Sequence, residues 1–382
     1  MARRASRDFS SYDESDVRVR PGKGSRPRTK DRPKHEDAVV GLVVSKDRGR
    51  WGVVLEEGPE AGTRVVCMRA RELGRTSIEV GDRVGVVGDT SGQKDTLARI
   101  VKRQERTSEL RRTADDTDPY ERIVVANAEI LLIVCAVADP PPRTGFVERA
   151  LIAAFVGGVT PVVCLTKSDL DDPGEFEREL RDLNVDVLRT GIEDDLAHLR
   201  SLIDGRLSAL IGHSGVGKST LVNRLVPDAN RETGEVSGVG KGRHTSTQSV
   251  ALELPADGDT AQDGATEVES GGFESGGWII DTPGIRSFGL AHVSPDDVIA
   301  AFPDLAEATE ACPRGCTHMG PPADPECAWD QLATETTDTA DTAATADTAD
   351  TAAGGEDSVI RRRVDAVRSL LAALRINETT YD

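Results

Sequence analysis

Short apolar runs separated by glycine- and aspartate-rich turns fill the chain between residues 37 and 103. The five runs are AVVGLVVS, WGVVLE, TRVVCMRA, DRVGVVG and LARIVKR, and all are rich in valine. Runs of this length and composition, bounded by turn residues, predict β-strands. Five short strands predict a small barrel, for which an OB-fold is the natural candidate and an SH3-like barrel the alternative.

From residue 121 to residue 290 the hydrophobic period alternates between strand-like and helix-like. Apolar runs such as EILLIVCAVA, TPVVCLT and RLSALI are separated by amphipathic segments such as TGFVERALIAAFVGG and DLAHLRSLI. This alternation predicts a parallel α/β sheet that binds its ligands at the carboxyl ends of the strands. Two further strand candidates, QSVALELP and GGWIID, flank an acidic segment at 256–276, which we interpret as a flexible hairpin insertion.

Three polar stretches have too few apolar residues to form a core. Residues 1–36 are predicted to be a disordered basic arm, residues 104–120 a linker, and residues 333–356 a disordered acidic tract built on a T-A-D repeat. The last region, 291–382, therefore combines helical segments, this tract and a closing amphipathic helix at about 358–376.

Charge is distributed unevenly along the 382 residues, whose net charge is −19. Residues 1–35 hold eleven lysines and arginines against five acidic residues. A basic arm on an acidic protein favours a polyanionic partner such as nucleic acid, and a solvated tail is an equal alternative. Because we find no apolar run near 18 residues and no signal peptide, we expect a cytoplasmic protein that has no membrane contact and keeps its cysteines reduced.

The segment GHSGVGKST follows the apolar run RLSALI and precedes TLVNRLV, which has helical spacing. It fits the phosphate-binding pattern G-x-x-x-x-G-K-[ST]. Glycines let backbone N–H groups face phosphate oxygens, and the N-terminus of the following helix adds partial positive charge. We expect Lys218 to reach the β- and γ-phosphates and Ser219 to bind Mg²⁺; a chance glycine-rich turn is the alternative. The predicted nucleotide contacts of this loop are Gly212, His213, Ser214, Gly215, Val216, Gly217, Lys218, Ser219 and Thr220.

Two more polar motifs, DTPG and TKSD, follow apolar strands. In DTPG, Asp281 is placed to hold Mg²⁺ through water, and Gly284, which has no Cβ, can bring its N–H to a γ-phosphate. In TKSD, Lys167 and Asp169 match the pattern by which GTPases read guanine. The Asp169 carboxylate would accept hydrogen bonds from guanine N1–H and the exocyclic amine, a donor pair that adenine lacks. The predicted guanine-binding residues are Thr166, Lys167, Ser168 and Asp169.

Taken singly, DTPG is also compatible with a Pro-Gly turn and TKSD with a helix-capping turn, but together with the phosphate loop they favour a GTP or GDP site. Their order is unusual, because TKSD precedes the phosphate loop, whereas in most GTPases the guanine motif follows DxxG. The same strands can be assembled if the chain is circularly permuted. The DTPG loop then ends the nucleotide domain and leads directly into the C-terminal region.

The run CPRGCTHMGPPADPEC contains three cysteines and one histidine: Cys312, Cys316, His318 and Cys327. Three thiolates and one imidazole suit tetrahedral Zn²⁺, and a reducing compartment favours a metal over disulfides. Four protein ligands leave no open position, so the sequence predicts one structural zinc per chain. Three free cysteines with a chance histidine are the alternative.

The ordered set of motifs is similar to that of the RsgA (YjeQ or EngC) family of circularly permuted, ribosome small subunit-dependent GTPases. The resemblance rests on TKSD, GHSGVGKST, GRHTST, DTPGIRSFGL and the cysteine/histidine cluster, which follow a barrel and the segment RTSELRR, and it covers about residues 37–330 and the final helix. The spacing C-x₃-C-x-H-x₈-C departs from the family pattern, which is similar to C-x₄-C-x-H-x₅-C.

The resemblance implies an α/β fold in which a circularly permuted P-loop GTPase domain lies between an N-terminal OB-fold barrel and a C-terminal helical zinc-binding domain. It implies hydrolysis of GTP to GDP and phosphate, stimulated by the small (30S) ribosomal subunit. It further implies a role in late maturation of that subunit, with rRNA contacts made by the barrel and the zinc domain. We expect a monomer.

The resemblance also implies that GRHTST acts as switch I, in which Thr245 or Thr247 binds Mg²⁺ when GTP is bound. After DTPG this chain has Ile285, where Ras-like enzymes carry the glutamine that orients water. An aliphatic side chain cannot orient water, so we expect slow intrinsic hydrolysis. We hypothesise that His244, the one imidazole of the switch loop, supplies the missing group.

Two other function classes are compatible with parts of the sequence. One is a non-catalytic RNA-binding assembly module that keeps a nucleotide fold as a scaffold, and the other is an ATP-dependent P-loop enzyme such as a kinase. Lys218, Ser219 and Asp281 argue against the first, because a scaffold needs none of them. Asp169 argues against the second, because adenine cannot satisfy its carboxylate.

Overall fold

The computed structural model describes six stretches of the chain. They are residues 35–113, 120–227, 249–255, 276–282, 289–340 and 353–375. The chain from Asp37 onward forms one unit, which contains every element named below. In these stretches we find no helix that is long and apolar enough to cross a membrane.

The first five strands close into a barrel. They are β1 (Val39–Asp47), β2 (Arg50–Leu55), β3 (Arg64–Arg69), β4 (Arg83–Val87) and β5 (Ala98–Arg103), with a 3₁₀ turn at Arg71–Leu73. β1 pairs with β2 and β4, β3 pairs with β2 and β5, and β4 pairs with β5; the β3–β5 pair is parallel and the others are antiparallel. Buried valines from four of the strands fill the interior, which explains the valine-rich runs. The predicted barrel is confirmed as a closed, five-stranded, OB-like one.

A two-stranded ribbon connects the barrel to the α/β sheet. Its strands β6 (Glu109–Arg112) and β7 (Arg122–Ala126) pair antiparallel. The structure here differs from the predicted linker at 104–120, because β6 lies inside it. The sequence ELRR has one buried apolar side chain, Leu110, and therefore lacks the alternation that identifies a strand.

The α/β sheet has the strand order β10-β9-β8-β11-β13-β12. Its strands are β8 (Ile130–Ala136), β9 (Thr160–Thr166), β10 (Asp186–Arg189), β11 (Leu207–Gly212), β12 (Val250–Glu253) and β13 (Trp278–Asp281). The first five in spatial order are parallel, and β12 is antiparallel to β13. At its other edge β12 pairs with β1 of the barrel, where Val250 lies opposite Ser45.

Helices cover both faces of this sheet, as its continuous apolar strands require. They are α1 (Thr144–Val156), α2 (Gly174–Asp182), α3 (Ala197–Ile203) and α4 (Lys218–Leu225). Alternate residues of β8 face opposite sides: Leu131 and Ile133 pack in one core with α1, and Leu132 and Val134 pack in another with α3 and α4. Because these strands are parallel, the carboxyl ends of β9, β10, β11 and β13 lie at the same edge of the sheet.

The described residues of the C-terminal region form four helices: α5 (Pro295–Ala300), α6 (Pro303–Thr309), α7 (Ala328–Ala340) and α8 (Ala353–Arg375). Helix α8 returns to pack against α1, α2, α5 and α7. The predicted disordered tract at 333–356 is thus helical at both ends, where it continues α7 and begins α8. Its middle lies outside the described residues.

Candidate nucleotide site and metal centre

The phosphate loop connects the end of β11 at Gly212 to the start of α4 at Lys218. Gly215 and Gly217 have φ angles of 85° and 90°, in the left-handed region that favours glycine. A Cβ at Gly212 would lie 2.8 Å from the carbonyl oxygen of Val134, so this position also requires glycine. Ser219 and Thr220 are exposed at the first turn of α4. Backbone and side-chain donors of the loop are therefore available to an anion.

The buried hydroxyl of Thr166, the first residue of TKSD, contacts the backbone of the phosphate loop. It donates a hydrogen bond of 2.5 Å to the carbonyl oxygen of Val216. The Cβ of Thr166 also sets the space next to Gly217, where an added Cβ would lie 3.4 Å away. The guanine motif and the phosphate loop, which are 50 residues apart, are thus joined by one side chain.

Lys218 joins the phosphate loop to the end of β13. Its Nζ lies 3.0 Å from Oδ1 of Asp281 and donates a hydrogen bond to the carbonyl oxygen of Thr282. The hydroxyl of Thr282 in turn donates to the carbonyl oxygen of Leu210, at 2.7 Å. The predicted phosphate-binding lysine and the predicted magnesium-holding carboxylate are therefore direct neighbours.

The remaining TKSD residues lie at the carboxyl end of β9. Lys167 has a φ of 57°, and its Nζ donates to the carbonyl oxygen of Asp139, in the loop that follows the neighbouring strand β8. Ser168 donates to Asp194 at 2.8 Å, and Asp169 is exposed at the tip of the loop. The structure thus brings the phosphate loop, Asp281 and TKSD to the same edge of the sheet.

His213, the second residue of the phosphate loop, contacts the first turn of α1. Its ring packs edge-on against Phe146 of α1, with ring centroids 4.8 Å apart. Burial lowers the pKa of His213, and the charge of Arg143 lowers it further. The side chain is thus favoured in its neutral form.

Four predicted residues lie outside the described residues: His244, Thr245, Thr247 and Gly284. Two residues that sequence reasoning missed, Asp194 and Arg224, support the TKSD loop: Asp194 contacts Ser168 directly, and Arg224 contacts the loop that contains Asp194. Arg224 donates hydrogen bonds of 2.6 and 2.5 Å to the carbonyl oxygens of Gly191 and Asp194. These contacts span 30 or more residues, so no local motif reveals them.

The four predicted metal ligands come together in the C-terminal region. Their ligand atoms lie within 4.8 Å of one another. Nδ1 of His318 is 3.5, 3.6 and 3.9 Å from the sulfur atoms of Cys312, Cys316 and Cys327. A tetrahedron with Zn–S of about 2.3 Å and Zn–N of about 2.0 Å has S···N separations of about 3.5 Å. The side chains therefore fit a zinc ion despite the altered spacing of the cysteines.

The longer segment between His318 and Cys327 forms a turn around the Asp324 carboxylate. This carboxylate accepts hydrogen bonds from the hydroxyl of Thr317, at 2.5 Å, and from the backbone N–H groups of Thr317 and Met319, both at 3.0 Å. These bonds lower the pKa of Asp324 to about 2. The segment between His318 and Cys327 is thus closed by hydrogen bonds to one of its own carboxylates.

Buried side chains enclose the cluster. The ring of Trp329 stacks on His318 at 4.9 Å, and its Nε1 donates to the carbonyl oxygen of Leu305. From α8, Arg368 donates to the carbonyl oxygen of His318, at 2.9 Å, and pairs with Asp330, also at 2.9 Å. Side chains of α7 and α8 therefore position the histidine of the metal cluster.

Comparison with known proteins gives concordant results. The RsgA GTPase family model matches residues 103–264. The small ribosomal subunit biogenesis GTPase RsgA of Chlorobaculum parvum is 31% identical over 306 residues, which cover 76% of this chain and 91% of the relative. The protein of the same name from Pseudomonas syringae pv. tomato is 33% identical over 299 residues, covering 76% of this chain and 78% of the relative.

Two solved structures share the fold. The structure of YloQ, described as a circularly permuted GTPase, matches with a TM-score of 0.57 and 20% identity, and the match covers 92% of this chain and 99% of YloQ. YjeQ from Thermotoga maritima matches with a TM-score of 0.54 and 23% identity, covering 87% and 98%. The order of the motifs, the strand order and the relatives agree: the chain belongs to the RsgA family of circularly permuted GTPases, hydrolases that act on GTP.

Proposed function

We propose that this protein hydrolyses GTP to GDP and phosphate in the biogenesis of the small ribosomal subunit. The observation that carries the proposal is the meeting of the phosphate loop, Asp281 and TKSD at one edge of the sheet. Two further lines support it: the names of the relatives refer to small ribosomal subunit biogenesis, and the chain spans most of their length.

On the phosphate side, the backbone of residues 212–220 would surround the β- and γ-phosphates, with Lys218 as the neutralising cation. Ser219 and Asp281 are the residues that would hold Mg²⁺, directly and through water. When bound, the ion neutralises charge on the phosphate oxygens. Gly284 and either Thr245 or Thr247 complete the proposed contacts to the γ-phosphate and the ion.

On the base side, Asp169 would accept hydrogen bonds from guanine, and the stem of Lys167 would pack along the ring. The Lys167 ammonium already lies at the carbonyl oxygen of Asp139, which fixes the direction of its stem. Thr166 acts through the phosphate loop, because its hydroxyl donates to Val216. Ser168 acts through its contact with Asp194.

Hydrolysis by the protein alone should be slow, because Ile285 cannot orient the attacking water. His244 is our proposal for the group that does so in the stimulated state. His244→Ala is expected to lower GTP turnover in the presence of 30S subunits and leave GDP binding unchanged. Stimulated turnover at the wild-type rate in this variant would rule the role out.

We propose that Cys312, Cys316, His318 and Cys327 hold one zinc ion with a structural role, because all four positions of a tetrahedron are filled by side chains. Elemental analysis of the purified protein should give one zinc per chain. Removal of the zinc with a chelator is expected to change the fluorescence of Trp329, which stacks on His318 and is fully buried. Protein without zinc, or an unchanged emission after removal, would contradict the proposal.

The proposed partner is the 30S subunit, which would stimulate hydrolysis late in its maturation and would be contacted through rRNA by the barrel and the zinc domain. On the outer face of β3, Val66 and Met68 are exposed, Arg50 lies opposite Met68 on β2, and Arg99 lies opposite it on β5. The arginines on this face would contact the phosphates of a nucleic acid. We further propose that the protein is cytoplasmic and monomeric.

The test is the rate of GTP and of ATP hydrolysis, each with and without 30S subunits. We expect GTP to be hydrolysed slowly alone and faster with 30S subunits, and ATP to be hydrolysed in neither case. GTP turnover that does not rise with 30S subunits would contradict the ribosomal role. Turnover of ATP would contradict the guanine site, and no turnover of either nucleotide would favour a scaffold.

A further inference from the structure

The carboxylate of Asp194 joins the two loops at the base side of the proposed guanine site. It accepts a hydrogen bond of 2.8 Å from the hydroxyl of Ser168 and one of 2.7 Å from the backbone N–H of Gly191, both through Oδ2. Ser168 belongs to TKSD after β9, whereas Gly191 belongs to the loop after β10. One half-buried oxygen therefore fixes the separation of the two loops.

These loops approach each other closely. A Cβ at the buried Gly191 would lie 2.7 Å from the Ser168 hydroxyl and 3.1 Å from Oδ2 of Asp194. The backbone N–H of Thr190 donates to the carbonyl oxygen of Leu165 at 2.7 Å and so extends the β9–β10 pairing up to the loops. A larger residue at 191 would have to displace the Ser168 hydroxyl from its position beside Asp194.

Helix α4 holds the same loop from the other side. Arg224 donates to the carbonyl oxygens of Gly191 and Asp194, and Arg200 of α3 donates to the carbonyl oxygen of Arg224 at 2.7 Å. Because α4 starts at the phosphate loop and ends at this contact, one helix spans both halves of the proposed site. The Asp194 loop is thus tied to the guanine motif and to the phosphate-binding element.

We propose that Asp194 is a positioning residue for guanine selectivity, an inference that rests on the proposed GTP site. Asp169 is exposed and follows Ser168 directly, so the backbone at Ser168 sets the direction of the Asp169 carboxylate. The Ser168 side chain is fixed by a hydrogen bond to an ionised acceptor, which is stronger than one to a neutral group. Selection between guanine and a base without the exocyclic amine depends on that direction, because a misplaced carboxylate loses the contact with the amine.

The experiment measures the dissociation constants of GDP and IDP, whose base lacks the exocyclic amine, for the full-length protein and four variants. Asp194→Ala should lower the preference for GDP over IDP about tenfold, which corresponds to the loss of one good hydrogen bond. Asp194→Asn keeps an oxygen acceptor and should restore most of the preference. Ser168→Ala, which removes one of the two bonds and preserves the other, should lower it by about threefold.

Asp195→Ala is the matched control, because it removes the exposed neighbouring carboxylate, which accepts a hydrogen bond from the N–H of Ala197 at the start of α3. It should leave the ratio unchanged. If Asp194→Ala weakens GDP and IDP binding equally, Asp194 only supports the fold and the inference is wrong. If the wild-type protein shows no preference for GDP over IDP, the proposed guanine site is wrong. If the wild type prefers GDP and Asp194→Ala keeps that preference, the guanine site stands and only the inference about Asp194 is wrong.

Discussion

The hydroxyl of Thr166 is the contact through which the guanine motif supports the phosphate loop. We expect Thr166→Ala to weaken GDP binding about tenfold, because the buried carbonyl oxygen of Val216 loses its partner. Thr166→Ser retains the hydroxyl and is expected to bind GDP like the wild type. Titration with a fluorescent GDP analogue measures both variants, and equal affinities for Ala and Ser would show that the hydroxyl has no role in binding.

The same residue illustrates how far the sequence predicts the site. The glycines and Lys218 of the phosphate loop were identified from a local pattern, because the geometry they provide is local. The contact of Thr166 with Val216 and that of Ser168 with Asp194 join residues 50 and 26 positions apart. Such pairs become neighbours only after β9, β10 and β11 are placed in the sheet, and a single sequence contains no record of that placement.

Among the secondary-structure elements, α8 connects the metal centre with the α/β sheet. Its Arg368 donates to the carbonyl oxygen of His318 and pairs with Asp330, and its buried Val367 and Leu371 lie in the same core as α1. A residue that orients a metal ligand from outside the ligand set affects how firmly the metal is held. Arg368 therefore belongs to the metal centre although it is 41 residues beyond the last ligand, Cys327.

We expect Arg368→Leu to release zinc to a competing chelator at least about tenfold faster than the wild type, since outer contacts typically contribute this much to metal affinity. Arg361→Leu, an exposed position on the same helix, serves as the control and should release zinc at the wild-type rate. Release is followed with a colorimetric zinc indicator. Equal rates for the two variants would mean that α8 does not hold the metal centre.

Elements with a clear hydrophobic period were predicted, and those without one were not. The valine-rich strands of the barrel and the apolar strands of the sheet are such elements, since each buries a regular set of side chains. Strand β6 buries only Leu110, and the helical ends of the T-A-D tract consist of threonines, acidic residues, glycines and alanines with no apolar period. The hydrophobic period of the sequence thus predicts which elements bury a regular set of side chains, and it does not predict elements that bury few.

At the scale of the whole molecule, the permuted order of the motifs determines what the chain contacts after DTPG. The residues that follow it reach the ribbon, where the N–H of Thr113 donates to the carbonyl oxygen of Gly289 at 3.0 Å. On the other side of the nucleotide domain, β12 follows the GRHTST loop and pairs with β1 of the barrel. The segment after DTPG therefore contacts the ribbon, and the segment after GRHTST pairs with the barrel. The order of the motifs alone does not specify either contact.

A buried ion pair joins the barrel to the segment between β5 and β6, which leads into the ribbon. Nε of Arg106 lies 2.6 Å from Oδ1 of Asp82, and their side chains are 3% and 0% exposed. The partner oxygen of Asp82 accepts a second bond from the same guanidinium, at 2.8 Å, and one from the N–H of Glu79. Removal of one member of such a pair leaves a charge buried without its partner, which is far more costly than the loss of an exposed pair.

We expect Arg106→Leu to lower the free energy of unfolding by about 3–5 kcal/mol, because it leaves the Asp82 carboxylate uncompensated. Lys46→Leu is the control: it breaks the Lys46–Glu79 pair, whose lysine is 40% exposed, and should cost about 1 kcal/mol or less. Urea denaturation measures both. Adding Asp82→Asn to Arg106→Leu removes the buried charge and should recover part of the loss. Equal costs for Arg106→Leu and Lys46→Leu, or no recovery in the double variant, would show that the barrel is held by its apolar contacts and not by this charge pair.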